Sequence, residues 1–70
     1  MNYKKYLSTQ GFIYSELNGD WRKGKGFGQS IKVTMIVKGL FEIKKNDTVL
    51  FSDFVESFDE FKQKIEQYGK

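Results

Sequence analysis

Apolar and polar residues alternate through the middle of the chain, over residues 30–37. The apolar positions, which share one face of an extended strand, are Ile31, Val33, Met35 and Val37. A period of two residues is typical of a strand with one buried face. Two further segments, 41–45 and 48–54, predict a following hairpin with its turn at Asn46-Asp47.

The connection after the alternating strand is predicted from register. A two-residue turn at Lys38-Gly39 would place charged residues of the next strand opposite the apolar residues of the first. A three-residue loop from Lys38 to Leu40 instead pairs Met35 with Ile43. We therefore expect the three-residue loop, with a positive φ at Gly39 or at a neighbour.

The same register assigns the two faces of the last strand. Ile43 is expected opposite Leu50 on the apolar face. Val49 and Phe51 then lie on the other face, where the N-terminal helix is expected to cover them. Without that cover they would form a protein-contact or homodimer surface.

Helices are predicted at both ends of the chain. Residues 2–10 form a short helix between an N-cap at Asn2 and a terminating glycine at Gly11. Residues 57–68 form a longer amphipathic helix, in which Ser57 begins a capping box.

A first hairpin is predicted between the N-terminal helix and the alternating strand. Its strands are residues 12–17 and 20–23, and its turn is Asn18-Gly19, whose two residues both tolerate positive φ. Three glycines follow within residues 24–28, and they predict a loop or an irregular strand edge.

Together these segments predict an α+β fold. It has a short N-terminal helix, an antiparallel sheet of about four to five strands in hairpins, and a C-terminal helix packed on one sheet face. The chain of 70 residues is expected to form one small domain, residues 1–70, with a modest core. Twelve aromatic residues suit such a core, since each buries a large apolar area.

Cysteine, histidine and proline are absent from the sequence. Without cysteine and histidine there is no disulfide, no thiolate or imidazole metal site and no Ser-His-Asp triad. The acidic residues lack the spacing of a calcium loop. We therefore expect a protein that is not an enzyme and that binds neither cofactor nor metal. No segment is typical of a signal peptide or a membrane span, so we expect a cytoplasmic protein without a membrane partner.

Charge is distributed unevenly along the chain. The net charge is +3, yet residues 1–45 carry nine basic and three acidic side chains, whereas residues 46–70 carry three basic and six acidic ones. Such asymmetry favours a polyanion as the partner of the basic part. Lysines that simply protect strand edges are the alternative explanation.

The most basic and aromatic part of the chain is the predicted first hairpin with its glycine-rich loop. Aromatic rings can stack on bases, lysine and arginine can neutralise phosphates, and glycine permits close backbone approach. The predicted nucleic-acid-binding residues are Tyr14, Trp21, Arg22, Lys23, Lys25, Phe27 and Lys32.

The turn at Asn18-Gly19 would pair Tyr14 with Lys23 and would place Trp21 on the same side of the hairpin. That side is exposed if Ile13 and Leu17 point inward. The alternative is that Phe12, Tyr14 and Trp21 belong to the core, which leaves Leu17 at the edge.

The sequence thus predicts a small non-enzymatic binding module, and the basic segment favours nucleic acid as its partner. The alternative is a protein–protein interaction module, such as a phage or mobile-element inhibitor of a host enzyme that handles nucleic acid or serves in defence. A homodimer is a further candidate assembly.

Overall fold

A computed structural model describes residues 2–24 and 30–69. The elements, in chain order, are α1 (Tyr3–Thr9), β1 (Ile13–Ser15), β2 (Asp20–Gly24), β3 (Ser30–Val37), β4 (Leu40–Lys45), β5 (Thr48–Phe54) and α2 (Phe58–Tyr68). The five strands form one antiparallel sheet in the order β1-β2-β3-β4-β5, so each strand pairs with its neighbour in sequence. The predicted α+β fold is confirmed.

Both helices pack on the same face of the sheet. Leu7 of α1 and Phe61 of α2 belong to one buried cluster with Val33 and Phe41 of the sheet. Edge-to-face aromatic contacts connect the helices with the sheet. The centroid of the Tyr3 ring lies 5.4 Å from that of Phe41 and 5.9 Å from that of Phe61. We call this side the helix face, and the opposite side of the sheet the open face. The prediction that the N-terminal helix covers the other face is therefore wrong.

The ends of α1 follow the predicted capping chemistry. The Asn2 side chain accepts a hydrogen bond from the Lys5 N–H. At the other end the Phe12 N–H donates to the Leu7 carbonyl, while Gly11 has φ +93°. That pattern is a Schellman ending, in which a left-handed residue lets the chain reverse and satisfy the last carbonyls. It places Phe12 in the core.

The ends of α2 also agree with the sequence. The Ser57 hydroxyl accepts from the Glu60 N–H at 3.1 Å, and acidic residues occupy the first turn, where the helix dipole favours them. Gly69 terminates the helix with φ −93°. A Cβ atom built at Gly69 would lie 2.8 Å from the Ile65 carbonyl oxygen, so close approach explains this glycine.

The β3–β4 connection differs from the predicted three-residue loop. The structure has a two-residue turn at Lys38-Gly39, with φ +87° at the glycine. A bulge at Ile36 then restores the apolar register, because it lets Met35 pair with Phe41 while Val37 pairs with Leu40. An extra residue in one strand achieves what a longer turn would have achieved.

A second bulge changes the faces of β5. The Asn46-Asp47 turn is as predicted, but Ile43 pairs with Phe51 rather than with Leu50. Phe51 therefore lies on the helix face, where its ring stacks against Tyr68 at 5.8 Å. Leu50 is the extra residue of the bulge.

The first hairpin is also shifted from its predicted register. Tyr14 pairs directly with Trp21, and a four-residue loop, 16–19, replaces the predicted two-residue turn. Within this loop only Gly19 has a positive φ, and its N–H donates to the Ser15 carbonyl at 2.7 Å. One left-handed residue is not enough for a type I′ turn, which needs two.

Candidate nucleic-acid interface

The predicted site residues lie on two different faces of the sheet. Tyr14, Trp21 and Lys23 are on the helix face, as the predicted alternation requires. Arg22 and Lys32 are on the open face, where they pair directly with each other across β2 and β3. Lys25 and Phe27 lie outside the described residues. The structure therefore does not bring the predicted set together as one surface.

On the open face, three basic residues stand directly opposite one another on adjacent strands. Arg22 of β2 pairs with Lys32 of β3, and Lys32 pairs with Lys44 of β4. We call Arg22, Lys32 and Lys44 the basic row. With neighbouring strands about 4.8 Å apart, the row spans roughly 10 Å across the sheet. Like charges in directly opposed positions destabilise a sheet, so the basic row carries an electrostatic cost.

Acidic neighbours offset part of that cost. Arg22 Nε lies 2.8 Å from Asp20 Oδ1, Lys44 Nζ lies 3.3 Å from Glu42 Oε1, and Lys32 Nζ lies 3.5 Å from Asp47 Oδ1. The first pair is the most enclosed, because Asp20 is buried. The hydrogen bond to Asp20 raises the pKa of the Arg22 guanidinium, so its positive charge is secure. The Asp47 side chain is 88% exposed and that of Lys32 is 26% exposed. Solvent around Asp47 screens this pair, so it stabilises the protein by at most about 1 kcal/mol.

Lys44 is the functional candidate that sequence reasoning missed. In the predicted register of β3 and β4, Lys44 does not lie opposite Lys32. Only the bulge at Ile36, which no local signal in the sequence announces, brings Lys44 into line with Lys32 and Arg22.

On the helix face, Tyr14 and Trp21 form a cross-strand aromatic pair. Their ring centroids are 5.3 Å apart with the planes tilted by 54°. Trp21 is half-buried against the core, whereas Tyr14 is 47% exposed. Exposure of the whole aromatic side would require Ile13 and Leu17 to point inward. Both of these residues are instead exposed. Trp21 thus packs against the core, and Phe12 belongs to it, as the alternative interpretation held, whereas Tyr14 does not.

Lys23 is also engaged within the chain. Its ammonium lies 5.4 Å from the centroid of the Phe12 ring, a distance typical of a cation–π contact. Its stem lies beside Gly11. Lys23 thus packs against the end of α1 and is not part of the basic row.

The open face also has an apolar end. Around the β3–β4 turn, Val37 is 54% exposed and Phe54 is 58% exposed, and Ile36 and Leu40 adjoin them. The open face thus grades from the basic row, through the polar pair Glu42 and Ser52, to apolar residues beside the turn.

Within residues 2–24 and 30–69, no helix is both long and apolar enough to cross a membrane. Comparison with protein-family models, with curated proteins and with solved structures gave no match.

Proposed function

We propose that this protein is a non-enzymatic module that binds nucleic acid through the open face of its sheet. One observation carries the proposal: the basic row places three cations from adjacent strands side by side on the face opposite to α1 and α2. An intramolecular arrangement that brings like charges together is stabilised when a polyanion binds across it.

The basic row would act on phosphates rather than on bases. Arginine and lysine neutralise phosphate groups and release condensed counterions, which gives affinity without sequence preference. A lysine of the row would exchange its carboxylate for a phosphate at little cost where that carboxylate is exposed, as Asp47 is beside Lys32. Arg22 would keep Asp20 and offer its outer N–H groups. The expected binding is therefore weak in sequence preference and strong in salt dependence.

The test is a salt titration with a 20-nucleotide poly-dT and a 20-base-pair duplex. The variant R22Q/K32Q/K44Q removes the three charges and retains polar side chains of similar length. If each residue meets one phosphate, the slope of log K against log salt becomes shallower by roughly 2 for single strands and by roughly 3 for the duplex.

The matched control is K4Q/K5Q/K38Q, which makes the same change in net charge away from the row. These three lysines are exposed, and none is in an ion pair within the described residues. The slope of log K against log salt for this control variant should stay close to that of the wild type. Equal slopes for both triple variants, or no salt-dependent binding by the wild type, would overturn the proposal.

The protein–protein interaction module is the second candidate function. The exposed apolar residues Val37 and Phe54 at the turn end of the open face favour it, because contiguous exposed apolar surface is typical of protein contacts. Such a module would act on a partner that itself handles nucleic acid. A pull-down from cell extract with and without nuclease separates the two candidates, since only a bridge of nucleic acid is lost after digestion.

A further inference from the structure

Two adjoining hollows lie between α1 and the sheet on the helix face. Both are lined by Tyr3, Met35 and Phe41, so they adjoin at these residues, and we call the two hollows together the trough. The hollow beside Trp21 measures about 210 Å³. The hollow beside Val55 measures about 560 Å³.

The trough has an apolar floor and a basic rim. Val33, Phe41 and Val55 are buried and form the floor, while Met35 is 40% exposed at the centre. The charged side chains among the described lining residues are both lysines, Lys4 in one hollow and Lys38 in the other. Asp53 pairs with Phe41 on the same face but is not among these lining residues.

We propose that the trough is a docking site for a segment of a partner protein that carries apolar anchor side chains flanked by aspartate or glutamate. The apolar floor fits side chains that leave water, and two adjoining hollows fit two anchors on one segment. This site is separate from the basic row and would operate whether or not the open face binds nucleic acid.

Charge complementarity selects an acidic segment. Neither Lys4 nor Lys38 has an ion-pair partner within the part of the chain that the structure describes. Each would therefore meet a carboxylate of the partner without first losing a carboxylate of its own chain. A basic segment would bring like charges to both ends of the trough, which opposes binding.

A peptide fits the trough better than a small amphiphile does. Small-molecule sites bury about 70–90% of their ligand, whereas these hollows are open to solvent and divided by exposed Met35. A peptide backbone can run along such an opening and send only its anchors into the hollows.

The experiment uses a phage-displayed library of random 12-residue peptides panned against the full chain. The most strongly enriched peptide is synthesised, and its Kd is measured from the emission of Trp21, the only tryptophan. We expect enriched peptides to carry at least two apolar residues and two carboxylates. Labelling of the methionine methyl groups, of which there are two, should show the Met35 signal shift on binding.

Two variants locate the site. M35E places a carboxylate at the centre, and K38E reverses the charge at an exposed turn position. Each should weaken peptide binding by about 10-fold or more, because a like charge now faces the partner. K5E is the control, since Lys5 is exposed on α1 but does not line the trough, and it should retain affinity within about 2-fold. Thermal unfolding checks each variant, and K38E alone decides the matter if M35E is destabilised.

Several outcomes would overturn the proposal. These are enrichment of basic peptides, failure to enrich any peptide, or equal affinity of the wild type and K38E. Poly-dT and dodecanoate serve as competing probes. A shift of the Met35 methyl signal by either of them, without a shift by the peptide, would assign the trough to a nucleic acid or to an amphiphile instead.

Discussion

At the scale of single residues, Gly69 shows how a side chain can be excluded without any unusual backbone angle. Its φ is −93°, so an alanine could adopt the backbone conformation. The added methyl group would nevertheless meet the Ile65 carbonyl oxygen at 2.8 Å and the Phe12 ring at 3.4 Å. The main obstacle is therefore the last turn of α2 itself, with the Phe12 ring as a second close neighbour.

The variant G69A should therefore be destabilised, by about 1–3 kcal/mol for overpacking at a buried position. Urea unfolding followed by Trp21 fluorescence measures the change. G24A is the matched control, because no atom of the described residues lies within 4 Å of a Cβ built at Gly24. Equal loss in both variants would mean that a general effect of replacing glycine, rather than the contact with Ile65, governs the end of α2.

At the scale of elements, the β4–β5 turn holds two residues in the left-handed region. Asn46 has φ +50° and Asp47 has φ +70°. Two such residues match the twist of the flanking strands, which is why type I′ turns close short hairpins. Asn46 has an additional role, because its side-chain oxygen accepts a hydrogen bond from the Ser30 N–H at 2.9 Å and so holds the start of β3.

The two turn positions should consequently respond in opposite directions to glycine. D47G relieves the left-handed strain and loses only the ion pair between exposed Asp47 and Lys32, so we expect a gain of about 0.5 kcal/mol in unfolding free energy. N46G gains the same relief but loses the bond to Ser30, and we expect a net loss of about 0.5–1 kcal/mol. Chemical denaturation of the two variants compares them directly, and stabilisation by N46G would show that the bond to Ser30 contributes little.

The sequence predicts elements here better than it predicts their pairing. Helix ends depend on neighbours in the chain, so Asn2, Gly11 and Ser57 could be assigned to caps from the sequence alone. Strand register depends instead on what each side chain meets in the core. The bulge at Ile36 exists because it brings Met35 opposite Phe41, a relation between strands that no local pattern contains.

Because strand register could not be predicted from local patterns, only part of the candidate site could be predicted. Alternation correctly placed Trp21 and Lys23 on one side of β2, and Arg22 therefore on the other. It could not show that Lys44 would join Arg22 and Lys32, because that alignment follows from the bulge at Ile36. The basic row is thus a property of the assembled sheet.

At the scale of the whole molecule, the helix face and the open face present different chemistry. The open face carries the basic row, with its carboxylate neighbours, and an apolar end. The helix face carries the trough, with an apolar floor between Lys4 and Lys38. Both surfaces take their basic residues from the first part of the chain, residues 1–45, and the sheet keeps the two surfaces apart.

This separation predicts that the two proposed binding activities are independent. R22Q/K32Q/K44Q should weaken oligonucleotide binding while the selected peptide binds unchanged, and M35E should do the reverse. Combining the two sets should give effects that add to within about 0.5 kcal/mol, as for sites that share no partner. Titrations at 150 mM salt are suitable, since the Debye length there is about 8 Å and charges on one face are largely screened from the other. A coupling larger than about 1 kcal/mol would mean that one partner spans both faces, or that the five strands move together when either face is occupied.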